Sequence, residues 1–206
     1  MASNTVNHYD ENASRYAQQY DSLDAETVHE SWASILHQLK VGNALDVGAG
    51  SGRDARWLAH KGWSVDAVEP AAKLRDLAAT KQKGDIAWHD DNLPQLESFF
   101  HKEHCYGLIL LSAVWMHLPP IDRYPAMQTL SSKLEQGGVL VISLRFGPQE
   151  DEREMFPVSG DEVNELALEV GLKSLSCHQA GRQLDQLQRS SVYWETVAFM
   201  KTKGSV

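Results

Sequence analysis

Short apolar runs alternate along this chain with stretches whose apolar residues recur every three or four positions. Residues 44–47, 64–68, 86–89, 106–111 and 139–144 have the length and enrichment of strands. Between them, Val28, Trp32, Ile35, Leu36 and Leu39 predict a helix over 27–39, and residues 53–60 form another that Gly62 ends. Ala71, Leu74, Leu77 and Ala78 mark a further helix, with Pro70 in the early position where its missing N–H costs nothing. A helix between Pro120 and Leu134 contains Pro125, and Gly137-Gly138 turns the chain into the fifth strand. The run 106–111 is the most uniformly apolar and is expected at the sheet centre, since a strand covered on both faces need not alternate.

Strand–helix alternation of this kind predicts an α/β domain with a doubly wound, mostly parallel sheet and helices on both faces. The end of the chain breaks the pattern. Val163, Leu166, Ala167 and Val170 make a short helical stripe ending at Gly171; residues 172–177 and 192–200 then read as two strands joined by a polar loop. Two strands without an intervening helix imply an antiparallel pair at one sheet edge, for seven strands in all. No repeat or linker divides the sequence. Residues 1–206 are expected to form one domain, with an N-terminal helical segment (1–40), a core (41–145) and a terminal helix and hairpin (146–206).

Composition narrows the partners. A net charge of −9 argues against binding dominated by phosphates, which requires clustered Lys and Arg, and favours a small-molecule partner over nucleic acid. No run approaches the roughly 20 apolar residues of a membrane span. The first residues lack the order of a signal peptide. Two cysteines are too few for a disulfide framework or a zinc site, so no metal is expected and a cytoplasmic setting is. Oligomeric state is not legible.

The most informative stretch is Leu45-Asp46-Val47-Gly48-Ala49-Gly50-Ser51-Gly52-Arg53-Asp54, which follows a strand and opens a helix. Gly48, Gly50 and Gly52 permit a sharp turn and let a ligand lie on bare main chain. A dinucleotide site has the spacing G-x-G-x-x-G; here the third glycine comes one residue early, which speaks against a dehydrogenase. Glu69 ends the second strand about 20 residues on, where an acid can accept from ribose hydroxyls. Asp90 and Asp91 end the third.

With these residues, the runs Val65-Asp66-Ala67-Val68-Glu69-Pro70 and Leu110-Leu111-Ser112-Ala113-Val114-Trp115-Met116-His117-Leu118, and the Gly137-Gly138 turn, the sequence resembles the class I S-adenosylmethionine-dependent methyltransferases, over most of its length. The resemblance implies a Rossmann-like sheet and methyl transfer from S-adenosylmethionine. By it, Gly48, Gly50 and Gly52 pass beneath the methionine portion, and Asp46 steadies their loop or reaches the amino group through water. Glu69 takes the ribose hydroxyls and Pro70 lies near adenine. Asp91 or Asp90 accepts from the adenine amino group with Asn92 or Leu93 beside the ring, and Ser112 borders the methionine. A small-molecule acceptor is the first expectation; RNA or protein, or a catalytically inactive cofactor-binding module, are the alternatives. A similar Gly-x-Gly-Arg loop occurs in small bacterial methyltransferases acting on metabolites or on metalloid and thiol compounds, and names no single substrate.

Several side chains carry two readings. His117, just past the fourth strand, is a candidate general base because imidazole titrates near neutrality, or a surface or capping histidine. Tyr9, Tyr16 and Tyr20 either fold over the cofactor as a lid, with Tyr16 or Tyr20 near its carboxylate, or pin the segment to the body. Arg53 and Arg145 are suited to clamp a carboxylate or phosphate, with a surface salt bridge the simpler role for Arg145. Residues 150–154 read as a solvated acidic loop, or one lying over the acceptor site, and Trp115, Phe146, Phe156 and Trp194 as pocket wall or core.

Overall fold

A computed structural model describes residues 3–97, 105–149, 151–177 and 181–202. Eight strands form one sheet: β1 (Asn43–Val47), β2 (Ser64–Val68), β3 (Ile86–His89), β4 (Tyr106–Ser112), β5 (Leu134–Phe146), β6 (Leu172–Leu175), β7 (Gln183–Leu184) and β8 (Tyr193–Lys201). Their order is β3-β2-β1-β4-β5-β8-β6, with β7 also paired to β8. Strands β1 to β5 are mutually parallel, whereas β8 runs antiparallel to both β5 and β6. The chain winds outward one way from β1 to β3 and the other way through β4 and β5. That reversal opens a crevice at the carboxyl ends of β1 and β4, where ligands bind in such sheets.

Both faces of the sheet are covered, and alternate residues of one strand go to opposite cores. From β4, Ile109 and Leu111 enter the cluster that holds Trp115, Met127, Leu130, Val163 and Phe199. Leu108 and Leu110 enter the cluster of Trp32, Leu58, Trp63 and Val65. The covering helices are α1 (Ser3–Glu11), α2 (Ala13–Asp21), α3 (Ala25–Val28), α4 (Ala33–Leu36), α5 (Arg53–His60), α6 (Ala72–Thr80), α7 (Pro120–Lys133) and α8 (Gly160–Glu169). Ala13, Tyr16 and Ala17 of α2 pack on Ala71 and Leu74, which lays the N-terminal segment across the end of β2. No helix among the described residues is long and apolar enough to cross a membrane.

The elements depart from expectation at four places. The helix predicted over 27–39 is broken into α3, a 3-10 turn at Glu30–Trp32, and α4. His29 causes the break: it leaves helical geometry at φ −103°, ψ 9°, its Nδ1 accepts from Trp32 Nε1 at 3.0 Å, and its Nε2 lies 3.0 Å from Asp54. Pro70 does not open α6, whose N-cap is Ala71. Strand β5 begins at Leu134, before the glycine pair. Tyr106 pairs with Leu134 and Leu108 with Val139, so Gly137, at φ +81°, and Gly138 absorb a bulge inside a strand. Finally, β6 and β8 form the expected antiparallel pair at one edge, with β6 outermost, and the polar loop adds the two-residue β7, which makes eight strands among the described residues where seven were expected.

Candidate functional site

A cavity of about 320 Å³ opens at the carboxyl end of the sheet, in the size range of small-ligand sites. Its floor is the turn between β1 and α5. Gly48, at φ +70°, and Ala49 both donate N–H to the Val68 carbonyl, at 2.8 and 2.9 Å, which ties the turn to the end of β2. Gly48, Ala49 and Gly50 line the cavity. A Cβ on Gly48 would fall 2.5 Å from Val114 Cγ2, so only glycine fits beneath the residues that follow β4. Gly52 faces away: a Cβ there would meet the Trp88 ring at 2.8 Å, so the third glycine permits close packing and does not line the cavity.

Glu69 stands beside this floor, buried. Its Oε2 accepts from Gly50 N at 2.9 Å and its Oε1 from Ala71 N at 2.8 Å. Burial pushes its carboxyl up to about 7, against the opposing pull of those two N–H donors. Pro70 and Ser112 complete this end of the cavity. Asp46 lies under the loop, fully enclosed. Burial and then the neighbouring Asp54 hold its pKa well above the ordinary carboxylate range, so it does not line the cavity as a charged group. Asp54, equally buried, goes the other way: burial would raise it, but Arg53, bidentate at 2.7 and 2.8 Å, and His29 keep it ionised. Arg53 is thereby committed to Asp54.

Asp90, Asp91 and Asn92 are not on the cavity wall. Asp90 is exposed and pairs with Arg75 at 3.2 Å, and Asp91 Oδ1 accepts from Asn92 N at 2.7 Å.

The N-terminal segment roofs the cavity through Tyr9, Tyr16 and Tyr20. Tyr16 and Tyr20 stack at 5.6 Å between centroids, and the Tyr20 ring lies over Gly50. Burial raises the pKa of both phenols, so they are neutral donors. A partly buried polar latch fastens the roof. Tyr16 Oη donates to Asp151 Oδ2 at 3.1 Å; Asp151 is clamped by Arg153 Nε at 2.7 Å; and Arg153 Nη1 donates to Tyr9 Oη at 2.9 Å. Thr5 Oγ1, completely buried, accepts from Glu154 N.

His117 sits inside this latch. Its Nδ1 lies 2.7 Å from the Glu154 carbonyl, an acceptor only, so Nδ1 carries the proton and Nε2 accepts from Tyr9 Oη at 3.1 Å. Burial, then Arg153 and Arg145, push its pKa down to about 4. The imidazole is neutral, with both nitrogens engaged. It is neither on the surface nor at a helix cap.

The far end of the cavity lies over β5 and β8. Ser143 and Arg145 project from β5 beside Thr196 and Trp194, their register partners on β8, and Gln183, Asp185 and Arg189 close the wall. Arg145 is buried rather than at the surface, and its Nη1 donates to the Pro148 carbonyl at 3.1 Å. Of the four aromatics, Trp194 reaches the cavity; Trp115 is core, and Phe146 stacks on Tyr193. Within the acidic stretch Arg153 is buried and Asp151 half-buried, and both line the cavity, while Glu152 and Glu154 are exposed (Glu150 lies outside the described residues). Sequence reading missed Thr5, Arg153 and Gln183. Only the Asp185/Arg189 spacing of four residues, which closes into an ion pair at 2.8 Å, left a visible signal.

The sequence profile of the family described as "methyltransferase domain" matches residues 11–178. An uncharacterised methyltransferase of Staphylococcus carnosus is 22% identical over 201 residues, covering 87% of this chain and 93% of that protein. Another, from Alkaliphilus oremlandii, is 27% identical over 63% of this chain, a stretch that spans 58% of the relative. Among solved structures, a TehB-like SAM-dependent methyltransferase from Corynebacterium glutamicum superimposes with a TM-score of 0.66 at 22% identity, over 93% of this chain and 99% of that one.

Proposed function

The chain belongs to the methyltransferase domain family, and from that premise we propose that it transfers a methyl group from S-adenosylmethionine to a small-molecule acceptor. The observation that carries this reading is Glu69: a buried carboxylate bonded to Gly50 N–H and set at the edge of a bare main-chain floor. Its two N–H bonds leave lone pairs for ribose hydroxyls, and Gly48 and Gly50, with only the Ala49 methyl between them, offer nearly bare backbone to the methionine portion. Pro70 and Ser112 flank the nucleoside, Tyr16 and Tyr20 close over it, and Asp46 braces the loop from below. Asp91 and Asn92 lie off the cavity wall and Asp90 stays with Arg75 in solvent, so none of the three is assigned to the adenine. When bound, the cofactor supplies a sulfonium methyl that passes to a nucleophilic atom while the C–S electron pair stays on sulfur.

The protein's part is alignment and removal of water. The tyrosine roof and the Asp151–Arg153 latch enclose the reacting end. His117 holds that roof through Tyr9 as a positioning residue and does not act as base, because its Nε2 lone pair is already used. A partly roofed cavity of this size, in a chain of net charge −9, favours a small acceptor over RNA or protein.

The test is release of S-adenosylhomocysteine from S-adenosylmethionine across a panel of small acids, phenols, amines and thiols, with cofactor affinity measured in parallel by calorimetry. Micromolar cofactor binding with turnover of at least one small acceptor is expected. Absence of cofactor binding refutes the reading; binding with turnover only on RNA or protein refutes the acceptor class.

A further inference from the structure

Resting on that reading, we propose that the acceptor is a small molecule bearing a carboxylate on an apolar body, with the carboxylate held by Arg145 and Gln183. Strand order separates the two halves of the cavity. The glycine floor belongs to β1 and Glu69 to β2, whereas Arg145 lies two strands beyond β1, about 10 Å away at ordinary strand spacing. Trp194 and Thr196 on β8 lie one strand further. A nucleoside over β2, β1 and β4 therefore leaves the ends of β5 and β8 to the acceptor.

The chemistry of that end is a set of donors. The Arg145 guanidinium is a permanent cation buried in the wall. Gln183 Nε2 is buried, Gln183 lines the same wall, and among the described residues this nitrogen has no hydrogen-bond partner. A buried amide donor left unmet costs free energy, which a ligand oxygen there would recover. Among the described residues the cavity is lined by five arginines and four carboxylates, and one of those, Glu69, is only partly ionised at neutral pH. Among its described residues, the wall of this cavity thus carries more cations than anions within a chain of net charge −9, which favours a monoanion. Asp151 and Asp185 in the same walls disfavour a phosphate dianion, whose second charge they would repel. Trp194 and Leu187 supply apolar surface for the body of the molecule.

The experiment uses full-length protein saturated with S-adenosylhomocysteine and measures, by calorimetry, binding of 2-hydroxy-, 2-amino- and 2-mercaptobenzoate against their carboxamides and phenyl phosphate. At least one acid is expected to bind at least about tenfold more tightly than its amide, the size of a charge-assisted hydrogen bond. Arg145→Gln should abolish that preference and Gln183→Leu should reduce it several-fold, both leaving affinity for S-adenosylhomocysteine within about twofold. Gln183 lies on a partly exposed two-residue strand, so its variant reports even if Arg145→Gln fails to fold. Binding of amides as tight as acids, preference for phenyl phosphate, no acid binding at millimolar concentration, or loss of S-adenosylhomocysteine affinity in Arg145→Gln would each overturn the proposal. Failure of the protein to bind S-adenosylhomocysteine at all would instead refute the underlying function.

Discussion

Replacing Glu69 by Gln separates two roles that one carboxylate plays. In the wild-type protein both oxygens accept backbone N–H groups, from Gly50 and from Ala71. The amide keeps one acceptor and turns an NH₂ toward the other N–H, which leaves a buried donor facing a donor and costs about 1–3 kcal/mol. Against this stands the wild type's own titration. A carboxyl that ionises near 7 in the folded chain and near its ordinary 4.5 when unfolded gives stability that is fully present below 4.5 and lost as pH rises through 7. The loss is about 3 kcal/mol across that window. The variant does not titrate there. In chemical denaturation from pH 4.5 to 8, wild type should therefore be the more stable protein at the acid end and lose its advantage at the alkaline end. Cofactor affinity by calorimetry should fall about 10- to 100-fold at neutral pH, as expected for losing a charged acceptor. A pH-independent difference in stability would refute the burial argument, and unchanged cofactor affinity would refute the ribose assignment.

Gly48→Ala should destabilise more than Gly50→Ala. Both incur about 1–2 kcal/mol for a left-handed backbone, but the methyl at 48 also overlaps Val114 at 2.5 Å, whereas that at 50 meets Tyr20 at an ordinary 3.5 Å; thermal melts order them. His117, depressed to about 4, contributes stability that is intact above 6.5 and lost by about 3 kcal/mol as pH falls toward 4. His117→Gln should flatten that component of the acid limb of the stability profile and leave the acid limb of the rate–pH profile in place, whereas loss of that rate limb, on which a general base sheds its proton, would restore a base role to the imidazole. Tyr9→Phe removes the bonds to His117 and Arg153, and limited proteolysis should then cut the N-terminal segment faster, with global stability lowered by about 1 kcal/mol. An unchanged cleavage rate would show that the roof is held elsewhere.

What the sequence disclosed follows from the range of the interactions involved. The strands and the glycine turn are written locally: apolar runs at 44–47 and 106–111 and glycines at 48 and 50 have no other economical backbone solution. Glu69 was legible because a strand end fixes its place relative to the turn. The break at His29 was not, because it depends on Asp54, twenty-five residues away. The latch was hidden for the same reason: Tyr9, His117 and Arg153 are scattered through the chain and meet only when α1 lies across the ends of β4 and β5. Gly52 shows the converse error. Its spacing fits the motif, yet its lack of a side chain serves the Trp88 ring rather than the cavity.

The most direct measurement is a crystal structure of the protein grown with S-adenosylhomocysteine. The account predicts both ribose hydroxyls on the Glu69 carboxylate, the homocysteine chain along Gly48–Gly50 beneath Tyr20, and the sulfur directed toward the Arg145 end of the cavity. A nucleoside bound outside this crevice, or a Glu69 carboxylate that touches only Gly50 and Ala71 while the sugar lies elsewhere, would contradict it.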